Sequence, residues 1–151
     1  MHRSFAALRM TWLLVFVFTS TLVLAQAPND ARAPIRELLD KQAAAWNRGD
    51  LEGFMAGYWR SPELTFFSGN KITRGWEPTL QRYREKYQSA GKEMGKLDFS
   101  ELRIDVFAPD AGAVRGHWHL VMKDGSELGG LFTLMLRKLP EGWHIVHDHT
   151  S

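Results

Sequence analysis

From residue 96 onward, the chain alternates apolar and polar side chains with a period of two. Four such segments follow one another, separated by APDAG, DG and LPEG: KLDFSELRIDVFA, AGAVRGHWHLVMK, SELGGLFTLMLRK and GWHIVHDHT. This alternation is typical of β-strands, and the separators are typical of turns between adjacent strands. The pattern therefore predicts an antiparallel four-strand meander whose apolar face must be covered by something else.

The segment before the meander has helical periodicity instead. One face of a first helix repeats at about 3.6 residues, with Pro34 suited to the first turn and Gly49 to the end; its members are Ile35, Leu38, Leu39, Gln42 and Trp46. A second helix, DLEGFMAGYW, capped by Asp50, a strand ELTFF, a turn or hairpin SGNKITRG and a third helix WEPTLQRYREKYQ follow. Helices first and a meander last predict an α+β fold with helices against one face of a sheet.

The first residues are typical of a secretory signal peptide rather than of the domain. Arg3 and Arg9 precede the apolar run TWLLVFVFTSTLVL, and small residues follow in LAQAP. We expect residues 1–25 to be a signal peptide cut after Ala25, residues 26–33 a linker and residues 34–151 one domain. An uncleaved N-terminal anchor is the alternative. The expected location is the periplasm or the outside of the cell, with no membrane contact after cleavage.

Charge and cysteine content limit the possible partners. The chain has 19 Lys and Arg against 17 Asp and Glu, and loss of Arg3 and Arg9 would leave 17 against 17. A near-neutral mature protein gives no compositional support for nucleic-acid binding. With no cysteine, the chain has no disulfide framework and no thiol nucleophile.

The last strand is the one whose inner face the alternation leaves open. In the first three strands, Leu102, Ile104 and Val106, then Val114, Trp118, Leu120 and Met122, then Leu128, Phe132, Leu134 and Leu136 form consistent apolar faces. In the last strand, one face would carry Trp143, Ile145, His147 and His149, and the other His144, Val146, Asp148 and Thr150. Neither set is plainly the apolar one.

Three segments in register resemble the nuclear transport factor 2-like superfamily, and within it the SnoaL-like members of unknown function. They are AAWNRGDLEGF, TRGWEPTLQRYREKY and GWHIVHDHTS. The ending is also similar to that of the association domain of calcium/calmodulin-dependent kinase II. The resemblance implies a cone, in which a curved antiparallel sheet, made of the meander and short strands, wraps around the long first helix and two further helices. It also implies a pocket at the wide end and a homodimer through the outer sheet face.

The resemblance assigns the set containing Asp148 to the inner face. Asp148 would then lie among apolar residues with a raised pKa, because burial disfavours its charged form, and it is the candidate catalytic residue. Gln42 could add an amide hydrogen bond. The expected pocket residues are Gln42, Trp46, Tyr58, Trp59, Phe67, Trp76, Tyr83, Trp118, Phe132, Leu134, Val146 and Thr150. An ordinary structural role is the alternative for Asp148, Gln42, Tyr58, Trp59, Trp76 and Tyr83.

The known chemistry of related families is not carried over to this sequence. Where ketosteroid isomerase has its tyrosine, base and donor aspartate, this chain aligns Gln42, Phe66 or Phe67, and Phe132 or Thr133. At the positions where the kinase association domain has pocket arginines, this chain has Trp118, Leu134 and Thr150. The resemblance therefore supplies a fold without a known catalytic or anion-binding site.

Two His-x-His pairs, His117 with His119 and His147 with His149, have a spacing that suits zinc. The third long strand should separate them by roughly 10 Å, so a surface or dimer-interface role is favoured, with no metal and no cofactor expected. Two functions remain open. One is a binding or assembly domain for a small apolar or weakly polar ligand; the other is an isomerase, dehydratase or cyclase that uses Asp148 as general acid or base.

Overall fold

The computed structural model describes residues 31–89 and 93–151, so the predicted signal peptide and most of the predicted linker lie outside the described residues. Within those ranges the chain forms α1 (Arg32–Asn47), α2 (Leu51–Met55), β1 (Thr65–Ser68), β2 (Lys71–Arg74), α3 (Trp76–Tyr87), β3 (Lys96–Ala108), β4 (Ala111–Val121), β5 (Glu127–Leu139) and β6 (Gly142–Thr150). None of these helices is long and apolar enough to cross a membrane.

All the strands form one sheet in the order β2-β1-β6-β5-β4-β3. Strands β3 to β6 form the antiparallel meander, and β1 joins it as a parallel neighbour of β6 and an antiparallel neighbour of β2. The helices pack against one face, with α1 contacting β3 and β6. The predicted α+β fold, with its meander, short hairpin and three helices, is confirmed.

Helix α1 is fixed to the sheet by polar contacts as well as by its buried face. The Trp46 indole N–H donates to the Met94 carbonyl oxygen at 2.8 Å. The Asn47 side-chain amide donates to the carbonyl oxygen of Leu97 at 3.0 Å, and its oxygen accepts from the Leu97 N–H at 2.7 Å. These bonds join the end of α1 to the start of β3. They also give a hydrogen-bond partner to both backbone groups of Leu97 at the edge of the sheet.

Helix α2 begins as predicted but is shorter than predicted. The Asp50 carboxylate caps it by accepting the Gly53 N–H at 2.7 Å. The helix ends at Met55 because the chain then pairs with β6. The Gly57 carbonyl accepts from the Ile145 N–H, and the Trp59 N–H donates to the Ile145 carbonyl, both at 2.9 Å. Residues predicted as helix therefore extend the sheet instead.

Strand β6 contains a bulge that changes which side chains face inward. Met135 of β5 pairs with His147, but the next residue, Leu136, pairs with Ile145. Val146 is thus an extra residue without a partner on β5, and the alternation of side chains shifts by one at this point. Before the bulge the odd-numbered residues face the core, and after it the even-numbered residues do.

The bulge corrects the prediction for the last strand in half of its length. Ile145 and Trp143 are buried in the core, although the inner face was expected to carry His144 and Val146. Beyond the bulge, Asp148 is only 3% exposed, as expected, and His149 faces outward. Each of the two possible faces is therefore the inner one along part of the strand.

The shifted register predicts opposite costs for two neighbouring truncations. Ile145→Ala should lower the free energy of unfolding by about 3 kcal/mol, because it leaves a cavity in the core. Val146→Ala should lower it by less than about 1 kcal/mol, since Val146 lies at the bulge. Urea denaturation of both variants measures the difference. Equal costs, or a larger cost at Val146, would mean that the strand has no bulge here.

Candidate functional site

A cavity of about 400 Å³ lies between the inner face of the sheet and the three helices. Aromatic rings form most of one side: Trp46, Phe54, Tyr58, Phe66, Tyr83 and Tyr87. They touch mainly edge to face, but Tyr83 stacks on Phe66 and on Tyr87 with ring centroids 5.5 and 5.9 Å apart. The sheet contributes the apolar opposite side, including Leu120, Phe132 and Leu134. A cavity of this size and lining is typical of small-molecule sites.

The carboxyl group of Asp148 lies on this apolar wall and is held by two hydroxyl groups. The Tyr58 O–H donates to Oδ2 at 2.7 Å, and the Thr150 O–H donates to Oδ1 at 2.8 Å. Tyr58 comes from the segment after α2, whereas Thr150 lies two residues along β6. The first bond joins parts of the chain 90 residues apart, and both bonds orient the carboxyl group toward the cavity.

Burial governs the proton equilibria of this cluster. Burial raises the pKa of Asp148 to about 6, although hydrogen bonds from Tyr58 and Thr150 and the nearby His149 act in the opposite direction. Burial, and then the charge of Asp148, raises the pKa of Tyr58 and that of Tyr83 well above the ordinary tyrosine value. Near neutral pH, both phenols therefore keep their protons while Asp148 exchanges its own.

Gln42 reaches the cavity from α1 but also has a structural bond. Its side-chain amide N–H donates to the Phe54 carbonyl oxygen at 3.0 Å. A methyl group added at Gly57 would meet this side chain at 2.7 Å, so the segment after α2 packs directly on the amide. Gln42 therefore links α1 to α2, and its side chain also forms part of the cavity wall.

The structure brings together nine of the predicted site residues and separates four from them. The cavity wall includes Gln42, Trp46, Tyr58, Tyr83, Trp118, Phe132, Leu134, Asp148 and Thr150. Trp59, Phe67, Trp76 and Val146 are not part of it. Phe67 contacts His147 and His149, which lie on the outer face, and the buried Trp76 donates its indole N–H to the Met55 carbonyl oxygen at 2.9 Å. Val146 is displaced by the bulge.

Sequence reasoning missed several side chains of the wall, including two cations. They are Phe54, Phe66, Arg82, Lys86, Tyr87, Leu97, Phe99, Leu120 and Leu128. The helical period contains a signal for part of this set, because Arg82 and Lys86 are four residues apart and share a face of α3 with Tyr83 and Tyr87 nearby. Phe66 could have been chosen over Phe67 only with the register of β1, in which Phe66 pairs with Asp148.

The histidine pairs lie outside the cavity, on strands separated by β5. The His119 ring lies 2.9 Å from the Glu127 carboxylate and the His117 ring 3.7 Å from that of Glu101, so each histidine of this pair has one acidic neighbour. His147 meets the Thr65 hydroxyl at 2.6 Å. In the part of the chain that the structure describes, no group of three or more potential metal-ligating side chains comes together.

Comparison with known proteins gives a family and several similar structures. A sequence model of the SnoaL-like domain matches residues 35–151. An NTF-2 like protein of unknown function from Shewanella oneidensis MR-1 is 36% identical with a TM-score of 0.74, covering 83% of this chain and 99% of that chain. A search of curated proteins finds no match.

Two further structures share the fold at lower identity. A nuclear transport factor 2-like superfamily protein from Salmonella enterica is 23% identical with a TM-score of 0.67, covering 83% of this chain and 92% of that chain. A putative calcium/calmodulin-dependent protein kinase II association domain from Xanthomonas campestris is 17% identical with a TM-score of 0.62, covering 78% and 84%. At these identities, the similarity concerns the fold alone.

The raised pKa of Asp148 predicts a specific dependence of stability on pH. A group whose pKa is higher in the folded state stabilises the fold fully below its unfolded pKa, and this contribution is lost as the pH rises through the folded value. With values of 3.8 and about 6, the loss between pH 4 and pH 7 is about 2 kcal/mol. The asparagine of Asp148→Asn cannot ionise, so this variant does not lose that contribution. Its free energy of unfolding, relative to that of the wild type, should therefore rise by this amount between pH 4 and pH 7.

Urea denaturation at several pH values measures this difference. Asp98→Asn, at an exposed acid on β3, is the matched control and should follow the wild-type curve. Parallel curves for the wild type and Asp148→Asn would show that the carboxyl group has no raised pKa.

Proposed function

We propose that this chain, which belongs to the SnoaL-like family, is an exported protein that binds a small apolar or weakly polar molecule in its cavity. The observation that carries the proposal is the aromatic cavity of about 400 Å³ with one buried, hydrogen-bonded carboxyl group on its wall. Pockets that bind small molecules combine a mainly apolar lining with a few polar groups that fix orientation.

The position of Asp148 supports a ligand role over simple core packing. A buried carboxyl group costs stability at neutral pH, and an apolar residue of similar size would avoid that cost. Asp148 and its partners Tyr58 and Thr150 all line the same cavity. Titratable groups with perturbed pKa values in clefts are more frequent at functional sites than elsewhere, so the cluster is best explained as the polar end of a binding site.

Export is proposed from the sequence of the first 25 residues. A basic start, an apolar run and small residues before Gln26 favour a cleaved signal peptide. The absence of cysteine from the sequence is compatible with an oxidising compartment, since the chain has no thiol to protect. The proposed location is therefore the periplasm or the medium.

A homodimer through the outer face of the sheet is proposed on the basis of exposed apolar side chains. Leu131 and Met135 of β5 are 56% and 52% exposed, and Ile72 of β2 is 58% exposed. In register with them, His117 lies beside Leu131 and His147 beside Met135. Together these side chains form a band of apolar groups and imidazoles across the sheet, and such a patch is typical of a protein interface.

An enzyme is the second candidate, and the raised pKa of Asp148 is the observation that favours it. A carboxyl group with a pKa of about 6 can accept and return a proton near neutral pH. It would act as a general base on an acidic C–H bond of the bound molecule, with the proton moving to Oδ1 or Oδ2 and then back to carbon. Tyr58 and Thr150 would stabilise the carboxylate form by hydrogen bonding.

Ligand binding in the cavity is tested with naphthol and two variants of β5. Leu128 lines the cavity, whereas Leu131 faces outward on the same strand. Leu128→Trp should weaken naphthol binding about tenfold, because displacing two ring carbons from burial costs about 1.5 kcal/mol. Leu131→Trp should leave it unchanged. Calorimetry measures both, and wild-type protein that fails to bind naphthol would contradict the proposal.

The homodimer is tested by Met135→Glu, which places a charge in the proposed interface. We expect this variant to sediment as a monomer while the wild type sediments as a dimer, because burying an unpaired carboxylate is costly. Gln81→Glu makes the same change of charge on an exposed site of α3 and should stay dimeric. A monomeric wild type at high concentration would rule out this assembly.

The enzyme alternative is separated from simple binding by isotope exchange. Acetonaphthone in D₂O should exchange its methyl protons faster with wild-type protein than without, and Asp148→Asn should abolish the acceleration while the ketone still binds. Binding without accelerated exchange would leave the protein as a binding domain only.

A further inference from the structure

Two cations of α3 lie in the wall of the cavity, and both project from the same helical face. Arg82 and Lys86 are one turn apart and both line the cavity. The Arg82 guanidinium carbon lies 5.0 Å from the centre of the Phe66 ring, and the Lys86 ammonium nitrogen lies 5.0 Å from that of Tyr87. Each cation therefore stands beside an aromatic ring that also belongs to the wall.

Neither cation forms an ion pair within residues 31–89 and 93–151. Arg84, which lies between them in sequence, pairs with Glu52 and lines a surface cleft elsewhere. Among the described residues, the same helix thus pairs the cation outside the cavity with Glu52 and leaves the two cations of the cavity wall without an ion-pair partner. A bound anion would supply the missing charge.

Arg82 is positioned for such a contact. One of its terminal N–H groups donates to the Thr73 hydroxyl at 2.9 Å, and the side chain is half-buried. A guanidinium has five N–H donors, so most of them remain for a ligand. Because one bond and the Phe66 ring already hold the side chain, less rotational entropy is lost when it binds an anion.

The negative charge of Asp148 restricts where in the cavity a ligand anion can bind. Its carboxyl group is buried, with Tyr58 and Thr150 donating to its oxygens, whereas Lys86 is an exposed residue of the cavity wall. A ligand anion placed beside Asp148 would be repelled, and one placed beside Arg82 and Lys86 would be attracted. The other residues of the wall are mostly aromatic and aliphatic, which favours an apolar body.

We infer that the ligand is an amphiphilic carboxylate, with an aromatic or otherwise rigid apolar body in the cavity and its carboxylate at Arg82 and Lys86. This inference rests on the proposed function, since it names the class of molecule that the same cavity holds. The end of the ligand that faces Asp148 is neutral. If that end carries a hydrogen-bond donor, it would donate to the Asp148 carboxylate.

The test compares two probes of the same shape, naphthalene carboxylate and the neutral naphthalene carboxamide, on the full mature protein. Wild-type protein should bind the carboxylate about tenfold or more tightly than the carboxamide, as expected for charge-assisted hydrogen bonds. Arg82→Gln and Lys86→Gln should each lower the affinity for the carboxylate more than that for the carboxamide, and so reduce this preference. Arg84→Gln removes the same charge from the same helix and should keep the wild-type preference.

The outcomes separate this inference from the proposed function. If naphthol and carboxamide bind but the carboxylate binds no better, the cavity binds ligands and the assignment of an anion is wrong. If Arg84→Gln lowered the preference as much as Arg82→Gln does, the preference would come from the overall charge of the protein. The assignment of the anion to Arg82 and Lys86 would then be wrong. If none of the probes binds, the proposed function itself fails. The wild-type ratio of the two affinities needs no variant, so a poorly folding Arg82→Gln would not remove the test.

Discussion

The unpaired residue Val146 in β6 is the constraint on which the arrangement of the site depends. It lets one strand bury Ile145 in the core and then turn Asp148 into the cavity, which a regular strand cannot do because these positions would lie on opposite faces. A second irregularity lies in β3 between Ser100 and Arg103, where Glu101 has a φ of 51°. Bulges bend a strand, and both of these strands contribute residues to the wall of the cavity.

Gly116 of β4 lies opposite the β3 bulge, where its neighbours pack closely against it. A methyl group added at Gly116 of β4 would come within 2.7 Å of the Leu102 side chain and 3.0 Å of the Ser100 carbonyl oxygen. A larger residue there would require the Leu102 side chain and its neighbours to shift. The added group would also lie 3.0 Å from the ring of Phe132, which lines the cavity, so glycine at this position leaves room for that ring.

The energetics of Asp148 link this geometry to function. Burial raises its pKa, and the hydroxyl groups of Tyr58 and Thr150 recover part of the cost by hydrogen bonding. Hydrogen bonds to a charged group contribute about 1.5–3 kcal/mol each, so the carboxyl group can reside in the cavity in either protonation state. Its charge and the two cations of α3 give the mainly apolar cavity wall charged groups of opposite sign.

The sequence was sufficient for the fold, and the family match from residue 35 to 151 confirms the SnoaL-like resemblance. Local alternation and turn residues gave the bounds of β3 and β6 because these depend on neighbouring positions. The bulge at Val146 and the early end of α2 could not be predicted in this way, since both depend on pairing with distant strands. The assignment of Phe67 and Trp76 to the pocket fails for a related reason. The sequence shows that these residues are aromatic, but the face that each occupies depends on how its segment packs against the rest of the fold.

The most direct measurement is an NMR titration of the Asp148 carboxyl carbon in the mature protein, without ligand and with naphthalene carboxylate. A carboxyl group buried in the cavity should titrate with a midpoint near pH 6, and its resonance should shift when the probe binds. A midpoint near the model-peptide value of about 3.9, unchanged by the probe, would show that the acid faces solvent and that the cavity has no polar centre.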